Sequence, residues 1–136
     1  MQLVPCLAFN GDCRQAFEFY HQCLGGEIVA MVDYSHPEVA NHVPPDWHDK
    51  IMHARLVTDN AVLMGSDNRG ETGKNDGFSV AVQVSDEEEA ERIFAALSEG
   101  GTVTMPIGET FWSSRFGMFV DRYGVSWMVN CERPMG

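Results

Sequence analysis

The strongest constraint on this chain is that it repeats itself. In the first half, Val4–Phe9 leads through Asn10-Gly11-Asp12 into a helical pattern that sets Ala16, Phe19, Tyr20, Cys23 and Leu24 on one face. In the second half, Phe78–Val84 leads through Ser85-Asp86 into Ala90, Ile93, Phe94 and Leu97, which repeat Ala16, Phe19, Tyr20 and Cys23 after 74 residues. Gly25-Gly26 closes the first helix and Gly100-Gly101 the second. Asp12 is placed to cap the first helix, and Ser85 with Glu88 to form a capping box on the second.

The back of each half matches too. One strand follows each helix, Glu27–Val32 in the first half and Thr102–Ile107 in the second. A hairpin comes next: Ile51–Val57 turns near Asp59-Asn60 into Ala61–Met64, and Arg115–Asp121 turns at Arg122-Tyr123-Gly124 into Val125–Asn130. Setting Asn60 on Gly124 brings Met64 onto Met128. Each half therefore reads β-α-β-β-β, an α+β pattern. A four-stranded sheet with a helix on one face leaves its other face to be covered. Two such mixed sheets side by side can form a curved, open barrel around a cleft. The expectation is one domain over residues 1–136, built from module 1 (about 1–67) and module 2 (about 78–131) and joined by the polar stretch Asp67–Gly77.

Composition narrows the partners. The formal net charge of −11 repels phosphate backbones, so no nucleic-acid partner is expected. No apolar run approaches ~18 residues, and the first residues hold no basic leader, so neither a membrane partner nor a signal peptide is expected. Cys6, Cys13, Cys23 and Cys131 form no C-x-x-C pair and read as reduced, packed thiols of a cytoplasmic protein.

Several segments together resemble a known superfamily. They are Phe9-Asn10-Gly11 with Ala16 and Phe19-Tyr20, then Met52-His53-Ala54-Arg55-Leu56, then Gly100-Gly101. Glu109-Thr110-Phe111-Trp112, Phe116-Gly117, Asp121-Arg122-Tyr123-Gly124 and Trp127-Met128-Val129-Asn130 complete the set. With the paired β-α-β-β-β modules, they resemble the vicinal oxygen chelate (glyoxalase, bleomycin resistance, extradiol dioxygenase) superfamily. Within it they are most similar to the PhnB-like family, which has also carried a demethylubiquinone methyltransferase label. The resemblance implies the glyoxalase/bleomycin resistance fold and a cleft for a small-molecule ligand.

In the superfamily's metal enzymes, ligands come from matching strand positions. Carried onto this chain, those positions are Val4 or Pro5, Met64, Ser79 and Met128. None suits a hard or borderline divalent ion, and thioethers favour soft Cu(I), so no metal ligands and no cofactor are expected. A displaced divalent-metal site, using His53, Glu109 and a histidine of the Pro-rich segment Asp33–Lys50, is the minor alternative. That segment holds His36, His42 and His48 and is long for a connection, as binding loops and cleft covers are.

His53 lies in a strand among apolar residues and suits either a structural hydrogen bond or a general base near neutral pH. Glu109 is its natural partner: a carboxylate meeting the imidazole would orient it and raise its proton affinity. Met64 and Met128 read equally as core or as an adaptable ligand wall. Trp112 lies between strands and is the best placed ring for stacking on a ligand. Arg115 can pair with an anionic ligand or sit in a surface salt bridge. Asp121 reads as a turn-former.

Three functions follow as alternatives. The first is a metal-independent enzyme using His53 and Glu109, the second a non-catalytic binding or sequestering protein, and the third a metal-dependent lyase, dioxygenase or transferase. No strand runs into a G-x-G loop, so the methyltransferase label finds no nucleotide-type cofactor motif. A homodimer is expected, because the open edges of each sheet need covering.

Overall fold

The apolar alternation and glycine stops of each half build the same element order twice. A computed structural model describes residues 1–68, 75 and 77–133. The first half holds β1 (Cys6–Phe9), α1 (Cys13–Leu24), β2 (Glu27–Asp33), β3 (Ile51–Val57) and β4 (Val62–Asp67). The second holds β5 (Val80–Val84), α2 (Glu87–Ser98), β6 (Thr102–Gly108), β7 (Ser113–Val120) and β8 (Ser126–Glu132). Two short 3-10 turns, Ala40–His42 and Pro45–Trp47, shape the connection between β2 and β3. The chain divides into two compact units, residues 1–73 and 74–136.

Each unit is one four-stranded mixed sheet, ordered β1-β4-β3-β2 in the first and β5-β8-β7-β6 in the second. The outer pair is parallel in each (β1 with β4, β5 with β8) and the remaining pairs are antiparallel. The class is α+β, as the duplicated pattern predicts. Each helix covers one sheet face. In the first unit Cys13, Ala16, Phe17, Tyr20 and Cys23 of α1 are buried with Leu7, Phe9, Ala54, Leu56 and Leu63 of the strands. In the second, Ala90, Ile93, Phe94 and Leu97 of α2 are buried with Phe119, Trp127 and Val129.

Some local expectations need correction. The α1 face turns so that Phe17 is buried while Phe19 is only half-buried. Asp12 is the N-cap of α1 but makes no side-chain cap bond; the remote Asp67 takes that role. Likewise α2 begins after Asp86 rather than Ser85, again without a side-chain cap bond. β4 runs on to Asp67, the first residue of the expected linker. Most of that linker (69–74 and 76) lies outside the described residues.

Candidate functional site

Cross-strand register decides which side chains share the face opposite each helix, because residues directly paired across strands point the same way. In the first unit Ala54 pairs with Gly65 and Leu56 with Leu63 on the helix side. The alternate residues form the open face. One row across it reads Cys6, Met64, Arg55, Ala30; beside it Ala8 pairs in line with Ser66, and His53 with Val32. His53 and Arg55, two apart on β3, therefore sit on the same open face and are both half-buried. The His53 ring has no hydrogen-bond partner among the described residues.

In the second unit Arg115, Gly117 and Phe119 of β7 pair with Cys131, Val129 and Trp127 on the helix side. The open face carries Phe116, Met118 and Val120 of β7 against Asn130, Met128 and Ser126 of β8. Met105 of β6 pairs with Met118, so three thioethers, Met105, Met118 and Met128, run in one row across three strands. Next to them a polar chain runs from buried Ser113 and Asn130 out to the exposed Gln83. The Ser113 hydroxyl donates to Asn130 Oδ1, and Asn130 Nδ2 donates to Gln83 Oε1 at 2.7 Å. Phe111, Trp112 and Phe116 form an edge-to-face ladder with ring centroids 4.7 and 5.4 Å apart. Trp112 is 46% exposed and Phe111 89% exposed, a large apolar area left toward solvent.

The expected site residues thus separate by face. His53 and Met64 lie on the open face of the first unit, and Met128 on that of the second, with Trp112 touching its Phe116. Arg115 lies on the helix side, where its guanidinium spans Glu87 at 3.3 Å and Glu91 at 2.9 Å of α2. The salt-bridge alternative is the one the structure holds, and it raises the Arg115 pKa through the hydrogen bond to Glu91. Glu109 follows β6 and pairs with Arg133 at 2.8 Å within its own unit. Arg133 also donates to the Thr110 carbonyl, tying this loop to the end of β8.

The histidine-rich connection is held by its own backbone. His48 Nε2 lies 2.9 Å from the Ala40 carbonyl, and His36 Nδ1 accepts the Glu38 N–H. Among the described residues no three His, Cys, Asp or Glu side chains are grouped to hold a metal ion. Sequence reasoning missed Arg55, Met105, Met118 and the Ser113–Asn130–Gln83 chain; strict strand alternation from His53 and Met128 was the signal for Arg55 and the methionines.

Two buried aspartates show how the turns are locked. Asp67 Oδ1 accepts the N–H groups of Gly11 (2.8 Å) and Cys13 (3.0 Å), and Oδ2 accepts that of Ile51 (2.8 Å). A carboxylate therefore occupies the N-terminus of α1, where a ligand phosphate would otherwise be attracted. Asp121 Oδ1 accepts from Tyr123 and Val125, and its Oδ2 from Trp127 Nε1, so the expected turn-former also anchors a core tryptophan.

The whole-chain comparisons agree with this architecture. The chain is 51% identical to protein PA1353 from Pseudomonas aeruginosa, whose crystal structure superposes with a TM-score of 0.90 over 98% of this chain and 99% of that one. It is 30% identical to Protein YjdN of Escherichia coli (strain K12), over 96% of this chain and 95% of that protein. A putative 3-demethylubiquinone-9 3-methyltransferase, PhnB protein, from Bacillus cereus is 27% identical, with a TM-score of 0.78 over 96% of this chain and 99% of that one. At 13% identity, a glyoxalase/bleomycin resistance protein/dioxygenase family enzyme from Burkholderia phytofirmans PsJN shares the fold alone, with a TM-score of 0.66 over 96% of this chain and 97% of that one. The family model described as 3-demethylubiquinone-9 3-methyltransferase matches residues 1–130. With that match over nearly its whole length, the chain belongs to this PhnB-like family, on the glyoxalase/bleomycin resistance fold.

Proposed function

We propose that this protein binds a small organic molecule on the open faces of its sheets, without a resident metal ion. One observation carries the reading: Met64 and Met128 put half-buried thioethers on these faces at strand positions where a hard cation would need carboxylates or imidazoles, with Phe116 and the Asn130 amide beside Met128. Met64 and Met128 are adaptable apolar walls, and Trp112 with Phe116 offers an aromatic edge for stacking. The chemistry of the family's printed description is not part of this reading. β1 enters α1 through Asn10-Gly11-Asp12, where Asp67 already holds the amides of Gly11 and Cys13. No helix among the described residues is long and apolar enough to cross a membrane. The four cysteines form no disulfide, which suits a reducing cytoplasm. A homodimer completes the proposal, because β2 and β6 each end their sheet with an open edge.

The test uses protein purified without a His tag. Elemental analysis is expected to give well under one metal ion per chain. Titration with a panel of aromatic and heteroaromatic metabolites is expected to quench tryptophan fluorescence saturably, and Met128→Ala to weaken that binding about tenfold. Stoichiometric metal, or the absence of any saturable ligand, would overturn the reading.

His53 favours a second reading, proton transfer to or from the bound molecule. Its half-buried imidazole has no hydrogen-bond partner among the described residues, which leaves its ring nitrogens to a ligand. Glu109 joins this reading only if it leaves Arg133. Under it, His53→Gln abolishes turnover of a bound compound with little change in affinity. Glu109→Gln lowers turnover only if its carboxylate takes part.

A further inference from the structure

We infer that Arg55 is the anchor for an anionic group, a carboxylate or a comparable oxyanion, on the ligand of the first unit's open face. The inference rests on the binding reading above and adds the class of ligand. Arg55 stands mid-sheet on β3, between Ala30 of β2 and Met64 of β4 in register. It is half-buried and makes no ion pair or hydrogen bond among the described residues. In a chain with twenty Asp+Glu, this half-buried guanidinium is left without a carboxylate among the described residues. Among the other described arginines, Arg115 pairs with Glu87 and Glu91, Arg133 with Glu109, and Arg122 bonds the Glu99 carbonyl, while Arg14 stands exposed to water on α1.

The carboxylates near Arg55 in the sheet are committed elsewhere or stand apart. Asp33 accepts the N–H and hydroxyl of Ser35, which hold its pKa below the usual carboxylate range. Asp67 is buried on the helix side, with both oxygens on backbone N–H groups. Glu27 shares the open face but is exposed at the sheet edge, in line with Val57.

Removing part of a guanidinium's hydration without a counter-charge is unfavourable, so such a group persists where a ligand supplies the missing acceptor. A guanidinium on a rigid strand offers two parallel N–H donors that match a planar carboxylate. His53, two residues away on the same face, can add a third donor, while Ala30, Val32 and Met64 contact the ligand's apolar body.

The experiment is a titration followed by two-dimensional amide and arginine Nε–H NMR, using phenylacetate, its neutral isostere phenylacetamide, and benzenesulfonate. Phenylacetate is expected to shift the Arg55 Nε–H signal saturably and to bind at least tenfold more tightly than phenylacetamide. Arg55→Gln should bring the acid down to the affinity of the amide, and Arg55→Lys should retain part of the preference. Circular dichroism establishes that both variants are folded. Binding of benzenesulfonate at the same signal extends the site to tetrahedral oxyanions, and its absence restricts it to carboxylates; either supports the inference when phenylacetate binds. Equal binding of acid and amide, unaffected by Arg55→Gln, overturns the anion anchor and leaves small-molecule binding standing. If none of the probes binds wild-type protein, the anion anchor falls, and small-molecule binding falls with it only when the metabolite panel also yields no saturable ligand.

Discussion

At the scale of single residues, Asp67 concentrates more of the local architecture than any side chain the sequence singles out. Its two oxygens join the turn after β1, the first turn of α1 and the start of β3 through three backbone N–H groups. Its own backbone carbonyl accepts the Tyr34 hydroxyl at 2.7 Å. Charge-assisted bonds of this kind contribute about 1.5–3 kcal/mol each, and losing the acceptor strands buried donors. Asp67→Ala is expected to lower stability by about 3–5 kcal/mol in urea unfolding, and Asp67→Asn, which keeps one acceptor, by about half as much. The same carboxylate bears on Cys13. Burial first, and Asp67 second, push the Cys13 thiol far above its ordinary value of 9.0. A raised folded pKa means that this stability is fully present below about pH 9 and is lost as pH rises beyond it, because the unfolded thiol ionises first. Cys13→Ala should therefore flatten the alkaline limb of a stability–pH profile. In native protein at pH 8, iodoacetamide should label the exposed Cys6 and spare Cys13.

At the scale of elements, the two helices lie close to their sheets because a strand glycine faces an aromatic ring in each unit. A Cβ at Gly65 would stand 2.5 Å from Phe17, and one at Gly117 would stand 2.5 Å from Phe94. This explains why α1 turns Phe17 inward. The helical spacing was legible in sequence, but the hole that chooses between Phe17 and Phe19 is made by a residue on another strand. Gly65→Ala is expected to lower stability by about 1–3 kcal/mol through overpacking. Phe17→Leu should relieve part of that loss, so the double mutant should be less destabilised than the two single changes added together. Denaturant unfolding of the four proteins checks it, and strict additivity would reject the close packing. Strand existence and chain order were readable from the duplication, whereas sheet faces were not, because a single bulge reverses them. The irregularity between Ser113 and Arg115 lies where β7 begins, and Arg115 follows the helix side while Ser113 reaches Asn130 on the other. Such a one-residue shift is invisible to alternation counting. Met64 and Met128 lie in regular register, whereas His53 pairs with Val32 at the edge of the irregularity between Val32 and Asp33; Arg55 was readable from its distance of two to His53.

At the scale of the molecule, duplication gives each unit one covered face and one that its own helix does not reach. The helix side of the first unit is closed by Leu7, Phe9, Ala54, Leu56 and Leu63 against α1, so a core exists within the unit. On the opposite face of the second unit, Met105, Met118, Met128 and Phe116 lie with no helix or strand among that unit's described residues packed as a layer over them. A sheet domain needs both apolar faces satisfied, and a core below about 70–80 residues rarely supplies more than about 3–5 kcal/mol. Residues 74–136 expressed alone are therefore expected to keep strand and helix signals in far-ultraviolet circular dichroism while binding a hydrophobic dye. They should elute as more than a monomer in light-scattering chromatography. Replacing Met105 and Met118 by threonine should shift that segment toward monomer, since threonine keeps the strand propensity and removes the apolar patch. A monomeric, dye-silent segment would show instead that one helix-covered face suffices, and that the methionine row is not an exposed apolar surface in need of a partner or a ligand.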